Sequence, residues 1–151
     1  MSDKTESTAI YLATDPEHIA ESFHLIKQLR LHLTDVGAYV GQVQRQQADG
    51  YHLLLLKVDG ELISAAGFRI HECLAWGRLL YIDDLITDEA ARKRGGAGRL
   101  FRWLIEYARD HGCAQLHLDS GFQRYDAHRF YLNQKMRISC HHFEMRLDAA
   151  D

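Results

Sequence analysis

Apolar positions in this chain change period repeatedly, and each change marks a new kind of element. Ala9 to Ala13 is a short apolar run that predicts a first strand. Asp15-Pro16-Glu17 carries the marks of a helix start, because Asp15 can cap and Pro16 suits the first helical position. Ile19, Phe23, Ile26 and Leu29 then recur at helical spacing and share one face. Thr34-Asp35 opens a second helix with Val36, Tyr39, Val40 and Val43 inward, and Gly50 ends it. The middle of the chain is strand-like. Tyr51 to Val58 runs into Asp59-Gly60, a hairpin signal, and Leu62 to Ile70 is the return strand. His71 to Gly77 predicts a turn region, and Arg78 to Thr87 the next strand, with two adjacent carboxylates inside it, Asp83 and Asp84.

The clearest helix follows. Leu100, Phe101, Leu104, Ile105 and Ala108 form an apolar stripe, with Arg99, Arg102, Glu106 and Arg109 off it, and Gly112 suits the C-cap. Ala114 to Leu118 predicts a strand, Ala127 to Gln134 a short helix, and His141 to Leu147 a final strand. The order βααβββαβαβ describes an α/β domain with mixed pairing. No repeat, low-complexity block or linker interrupts the 151 residues, so one domain over 1–151 is expected.

Composition narrows the function classes. Apolar residues are 46%, charged residues 26%, and the formal charge is −3, which suits a folded domain and disfavours nucleic-acid binding through bulk charge. The aromatics show no stacking pattern for nucleic acid. The polar N-terminus has no signal-peptide pattern, and the apolar run Leu53 to Leu56 is too short to span a bilayer, so no membrane partner is expected. Cys73, Cys113 and Cys140 form no CxxC pair, and their odd number and wide spacing fit a reducing, cytoplasmic compartment. His141-His142 has no spaced partner, so no metal site is expected.

The segment that carries chemistry is Arg92-Lys93-Arg94-Gly95-Gly96-Ala97-Gly98, between a strand and the amphipathic helix. Its glycines let backbone amides approach a ligand, and the helix start directs unpaired N–H groups and a positive dipole end to the same place. That is an anion site suited to a phosphate or pyrophosphate. No Walker A string occurs, and Phe101 stands where a dinucleotide fingerprint needs its third glycine. Asp119-Ser120-Gly121 is not a nucleophile elbow.

Arg92 to Ala97 matches [R/Q]-x-x-G-x-[G/A] and so resembles the pyrophosphate-binding signature of the GNAT acyl-CoA N-acyltransferase superfamily. The flanks resemble the family as well: the acidic strand Tyr81 to Thr87 upstream, Leu116-His117-Leu118 downstream, and Ala127-His128-Arg129-Phe130-Tyr131, similar to the family's A-x-x-F-Y helix. Two positions depart from the pattern. Lys135-Met136 stands where Gly-Phe is usual, and Arg124 where Asn is frequent.

The resemblance implies a mixed central sheet, splayed between two parallel strands, with helices on both faces. It implies acetyl-CoA as co-substrate, its pyrophosphate on the backbone amides of Arg92 to Gly98, its pantetheine arm along Leu85, Ile86 and Thr87, and a cationic contact to the cofactor from Arg124 in place of the usual polar one. An N–H near Leu85 would face the thioester oxygen. Tyr131 matches the family's general acid. Asp83 or Asp84 would take the proton of the attacking amine, with Asp83 preferred. As neighbours on a strand they are expected to point to opposite sides, so that only one faces the site. His117 and His128 lie near the presumed cleft but are not chosen as proton relays. The expected function is direct transfer of the acetyl group from acetyl-CoA to a primary amine in a ternary complex, and the alternative is a non-catalytic acyl-CoA-binding regulatory module. Acidic residues near the cleft suit a cationic small-molecule or peptide amine acceptor, and the family is compatible with a homodimer.

Overall fold

A computed structural model of the chain describes residues 5–148. Met1 to Lys4, part of the polar N-terminus noted above, lie outside the described residues. The chain divides into two units, residues 1–118 and 119–151.

The first unit is built on a sheet of five strands in the order β1 to β5: β1 (Thr8–Leu12), β2 (Tyr51–Val58), β3 (Glu61–Cys73), β4 (Gly77–Thr87) and β5 (Gln115–Leu118). All neighbours are antiparallel except β4 and β5, which run parallel. Alternation decides what each face meets. Tyr51, Leu53 and Leu55 of β2 join Ala65 and Ile86 in a core with α1 (Pro16–Glu21), α2 (Phe23–Leu29) and α3 (Val36–Ala48). The other face receives α4 (Gly96–Asp110), where the Phe68 ring sits 5.2 Å from Tyr107 and 6.2 Å from Trp103. This mixed sheet, with helices on both faces, is the architecture that the resemblance implied.

Local chemistry explains most boundaries. Asp15 caps α1 by accepting the His18 N–H at 2.9 Å, and Asp35 caps α3 through the Ala38 N–H at 2.7 Å. Asp59 and Gly60 both adopt positive φ, 50° and 80°, as a tight two-residue hairpin turn demands. The predicted first helix is instead two. At Ser22 the hydroxyl donates to the Ile19 carbonyl at 2.6 Å and meets the Tyr39 hydroxyl at 2.8 Å, which turns the chain between α1 and α2. The predicted turn region His71 to Gly77 also shrinks, because β3 and β4 pair out to Cys73 and Gly77.

The second unit contains one helix, α5 (Tyr125–Asn133), among its described residues. The strand expected over His141 to Leu147 is absent there. Its period-two pattern is present, but no described residue after α5 enters a ladder, and Phe143, Met145 and Leu147 are exposed. A strand pattern needs a hydrogen-bonding partner before it becomes a strand. Among the described residues no helix is long and apolar enough to cross a membrane, and no cluster of three or more His, Cys, Asp and Glu could hold a metal ion.

Candidate active site

The site begins at the end of β4. Its ladder with β5 stops at Ile82 opposite Leu118, whereas its ladder with β3 continues to Thr87 opposite Ser64. From Asp83 onward β4 therefore has no ladder partner on its β5 side among the described residues. Asp88 donates its N–H to the Ile63 carbonyl at 2.8 Å. Hydrogen-bonded pairs alternate along an antiparallel ladder, so Ala65/Ile86 and Gly67/Asp84 are also of that kind. Leu85 and Thr87 consequently turn their backbone groups toward the open side, and Ile86 turns its own toward β3.

The chain then passes through a 3-10 turn, Glu89–Arg94, into α4. Gly95 takes φ 72°, a left-handed conformation that side chains resist, and α4 starts at Gly96 with no side-chain cap. The first backbone turn closes when the Arg99 N–H reaches the Gly95 carbonyl. The N–H groups of Gly96, Ala97 and Gly98 precede that bond and remain available at the helix start. Gly96 is buried, and a Cβ there would lie 3.1 Å from that of Ser64, so the loop sits tightly against β3. Arg94 pairs with Glu61 at 3.2 Å and Arg99 with Glu6 at 2.6 Å, tying the loop to neighbouring segments. The Arg92 and Lys93 side chains are exposed. A run of free amides at a helix N-terminus beside an open strand edge fits a diphosphate joined to an amide-bearing arm.

Asp83 and Asp84 depart from expectation. They do not face opposite sides: both line one cavity of about 270 Å³, together with residues of α2 and α3. The reason is a β-bulge. Phe68 pairs with Ile82 and Gly67 with Asp84, so Asp83 is an extra residue in β4 and the side-chain alternation slips there. Arg69 grips Asp83, with Nη2 to Oδ2 at 2.6 Å and Nε to the same oxygen at 3.1 Å. Asp84 is more deeply set. Its Oδ1 accepts from Arg30 Nε at 2.9 Å and forms an ion pair with Arg30 Nη2 at 2.8 Å, and its Oδ2 accepts from the Tyr51 hydroxyl at 2.8 Å.

Tyr51 reaches Asp84 by crossing directly over Gly67, where a Cβ would clash with the tyrosine ring and hydroxyl. Burial, and then the negative charge of Asp84, push the Tyr51 hydroxyl well above its ordinary range, so it stays a donor. Burial likewise pushes Tyr39 up to about 12, against the Ser22 hydrogen bond and with a smaller push from Asp84. Arg30, Tyr51, Tyr39 and Gly67 were not anticipated from sequence. The bulge that unites them has no local signature, although an unexplained glycine inside a strand pattern was a usable hint.

In the second unit, Tyr131 lies on α5 and Arg124 at its N-terminal boundary. Burial raises the Tyr131 pKa, opposed by the positive charge of Arg124, so the phenol is protonated near neutral pH. The end of α5 accounts for one departure from the family pattern. Met136 donates to the Tyr131 carbonyl at 3.1 Å and Lys135 to that of Leu132 at 3.0 Å, with Lys135 at φ 65°. This is the Schellman closure that glycine usually makes. Gly112 makes it at the end of α4, with φ 72° and the Cys113 N–H on the Ala108 carbonyl. Lys135-Met136 thus closes α5 with the backbone bonds that a glycine would make. The histidines have local partners: His128 Nε2 lies 2.7 Å from the Gly121 carbonyl, and the His117 ring packs at a tilt against Trp76, 4.2 Å between centroids.

Residues 9–136 match the model of the acetyltransferase (GNAT) family. The chain belongs to the GNAT family. As a GNAT member it is an acyltransferase, and the match crosses the boundary between the two units. It is 31% identical over 122 residues to the uncharacterized N-acetyltransferase YhdJ of Bacillus subtilis, covering 80% of this chain and 85% of that one. Among solved structures it resembles a transcriptional regulator of Bacillus halodurans, with TM-score 0.82, 22% identity, and coverage of 93% and 100%. It also resembles the aminoglycoside N-acetyltransferase AAC(6')-Iy in complex with CoA, with TM-score 0.83, 16% identity, and coverage of 99% and 100%. At these identities the two structures speak for the fold alone.

Proposed function

We propose that this GNAT protein transfers the acetyl group of acetyl-CoA to a primary amine within a ternary complex, and that residues 1–151 act as one catalytic domain. The observation that carries this reading is the continuity of two features. The open edge of β4 after Ile82 leads, through one short turn, to the free amides at the start of α4. A pyrophosphate on the amides of Gly96 to Gly98 sets a pantetheine arm along Leu85 to Thr87, pairing with the strand edge. Arg92, Lys93 and Arg94 supply positive potential around the diphosphate, and Arg124 a further cation.

The cavity beside Asp83 and Asp84 receives the amine. An alkyl ammonium has a pKa of about 10.4 and must lose a proton before it attacks. Asp83 or Asp84 accepts that proton, directly or through one water. The amine nitrogen then bonds to the thioester carbon, and the Leu85 N–H stabilises the developing oxyanion. As the C–S bond breaks, Tyr131 donates its phenolic proton to the departing thiolate and recovers one from solvent. The alternative, a non-catalytic acyl-CoA-binding module, would rest on Lys135-Met136 in place of Gly-Phe, and the Schellman bonds at that helix end support the catalytic reading instead.

The test is initial-rate kinetics with acetyl-CoA and a broad amine panel, following CoA thiol release with a dye. The expected result is amine-dependent release with intersecting double-reciprocal lines. Parallel lines would contradict the ternary complex, and silence across the panel would contradict the enzyme reading.

A further inference from the structure

The cavity beside the β4 bulge contains two carboxylates, yet it is not an acidic pocket. Each carboxylate already has a guanidinium of the chain: Arg69 on Asp83 and Arg30 on Asp84. Their formal charges cancel. Asp84 is the more enclosed of the two acids, its side chain 14% exposed, and the Tyr51 hydroxyl takes its second oxygen. The Arg30 fork is fixed on two sides, because Nη2 also donates to the Asp83 backbone carbonyl at 2.8 Å. Besides the His32 ring and the Tyr39 hydroxyl, what remains on the walls is aliphatic or amide. Ile26, Leu33 and Val43 supply aliphatic surface, and Gln42 and Gln46 supply amides bonded to each other at 3.0 Å.

We propose that this cavity selects a small monoamine whose body is uncharged, and that Arg30 is the specificity-determining residue that rejects diamines and polycations. The inference rests on the reading that this cavity receives the acceptor. The reacting ammonium hands its proton to Asp83 or Asp84 and becomes neutral, whereas a second ammonium would keep its charge, shed water and require a carboxylate without a partner. Both carboxylates are matched, so it would have to expel a guanidinium, and that of Arg30 is held by two hydrogen bonds and an ion-pair contact. An uncompensated charge set against the wrong ligand is how specificity by rejection arises. At about 270 Å³ the cavity has room for a small body around the amine. The glutamine amides suit hydroxyl groups on that body.

The experiment compares matched acceptors, pentylamine against cadaverine and glucosamine against neamine. Wild type, Arg30→Gln and Arg30→Lys are assayed at saturating acetyl-CoA, with acetyl-CoA binding measured separately by calorimetry and folding by thermal melts. Wild type should favour the monoamine in kcat/KM by about ten-fold in at least one pair. Arg30→Gln leaves Asp84 unmatched and should narrow that ratio through a lower KM for the polyamine. Arg30→Lys keeps the charge and should keep the preference, which also separates specificity from a folding defect. A wild-type preference for the polyamine, or a ratio that Arg30→Gln leaves unchanged, would overturn the proposal. Acetyl-CoA binding without turnover of any of the four amines would overturn the substrate class alone. Failure to bind acetyl-CoA would overturn the underlying functional reading instead.

Discussion

The loop entering α4 and the cavity beside the β4 bulge are built on opposite principles. The loop is made of backbone: its donors are the amides of Gly96 to Gly98, and its shape is one glycine at φ 72°. The cavity is made of side chains, Arg30, Tyr51, Asp83 and Asp84, from positions far apart in the chain. A backbone site needs a local conformation, so a short run of residues can specify it. A side-chain site of this kind needs the finished fold, because a bulge and a facing glycine decide where its groups point. The comparison also separates roles. In the proposed mechanism the loop serves the invariant partner, acetyl-CoA, and the cavity serves the acceptor, the part that distinguishes one GNAT enzyme from another.

The largest expected effect is on the cavity. Gly67→Ala places a Cβ on the buried Tyr51 ring, and should cost about 3 kcal/mol in urea unfolding. A loss below about 1 kcal/mol would mean that the ring moves freely, and the crossing of Tyr51 over Gly67 would lose its significance. Next comes the chemistry. Tyr131→Phe should lower kcat by about 100-fold with the acetyl-CoA Kd little changed. An unaltered kcat would remove Tyr131 from the acid role.

A pH measurement sharpens the picture of the buried phenols. Unfolded tyrosine ionises near 10 and folded Tyr39 near about 12. The unfolded chain therefore loses its proton first. The contribution of this raised pKa is fully present below pH 10 and is lost as pH rises toward 12. Urea midpoints of wild type and Tyr39→Phe should diverge across that window by an amount equivalent to about 2–3 kcal/mol. The smallest effect contrasts the two helix ends. Lys135→Gly relieves a left-handed lysine and should stabilise the second unit by about 1 kcal/mol, whereas Gly112→Ala should destabilise α4 by a similar amount.

The same contrast explains what could be read from the sequence. Asp15, Asp35, Asp59-Gly60 and Gly112 acted where their local chemistry put them. The glycine loop and the open edge of β4 lie where the motif and the family resemblance implied. The orientation of Asp83 and Asp84 was misread because strand alternation assumes an unbroken ladder, and the extra residue opposite Gly67 breaks it. The break at Ser22 depends on its contact with Tyr39, 17 residues away. The strand pattern over His141 to Leu147 was genuine, but pairing is a property of two segments and the pattern describes only one.

The central claim is that the amides opening α4 hold a diphosphate and so place a thioester along β4. Proton–nitrogen amide spectra during titration with acetyl-CoA, and separately with acetyl-pantetheine, which lacks the diphosphate, test it most directly. The account predicts large shifts at Gly96, Ala97 and Gly98 with acetyl-CoA, none there with acetyl-pantetheine, and an affinity weaker by about 100-fold for the latter. Acetyl-CoA that binds without moving those three amides, or that binds no better than acetyl-pantetheine, would contradict it.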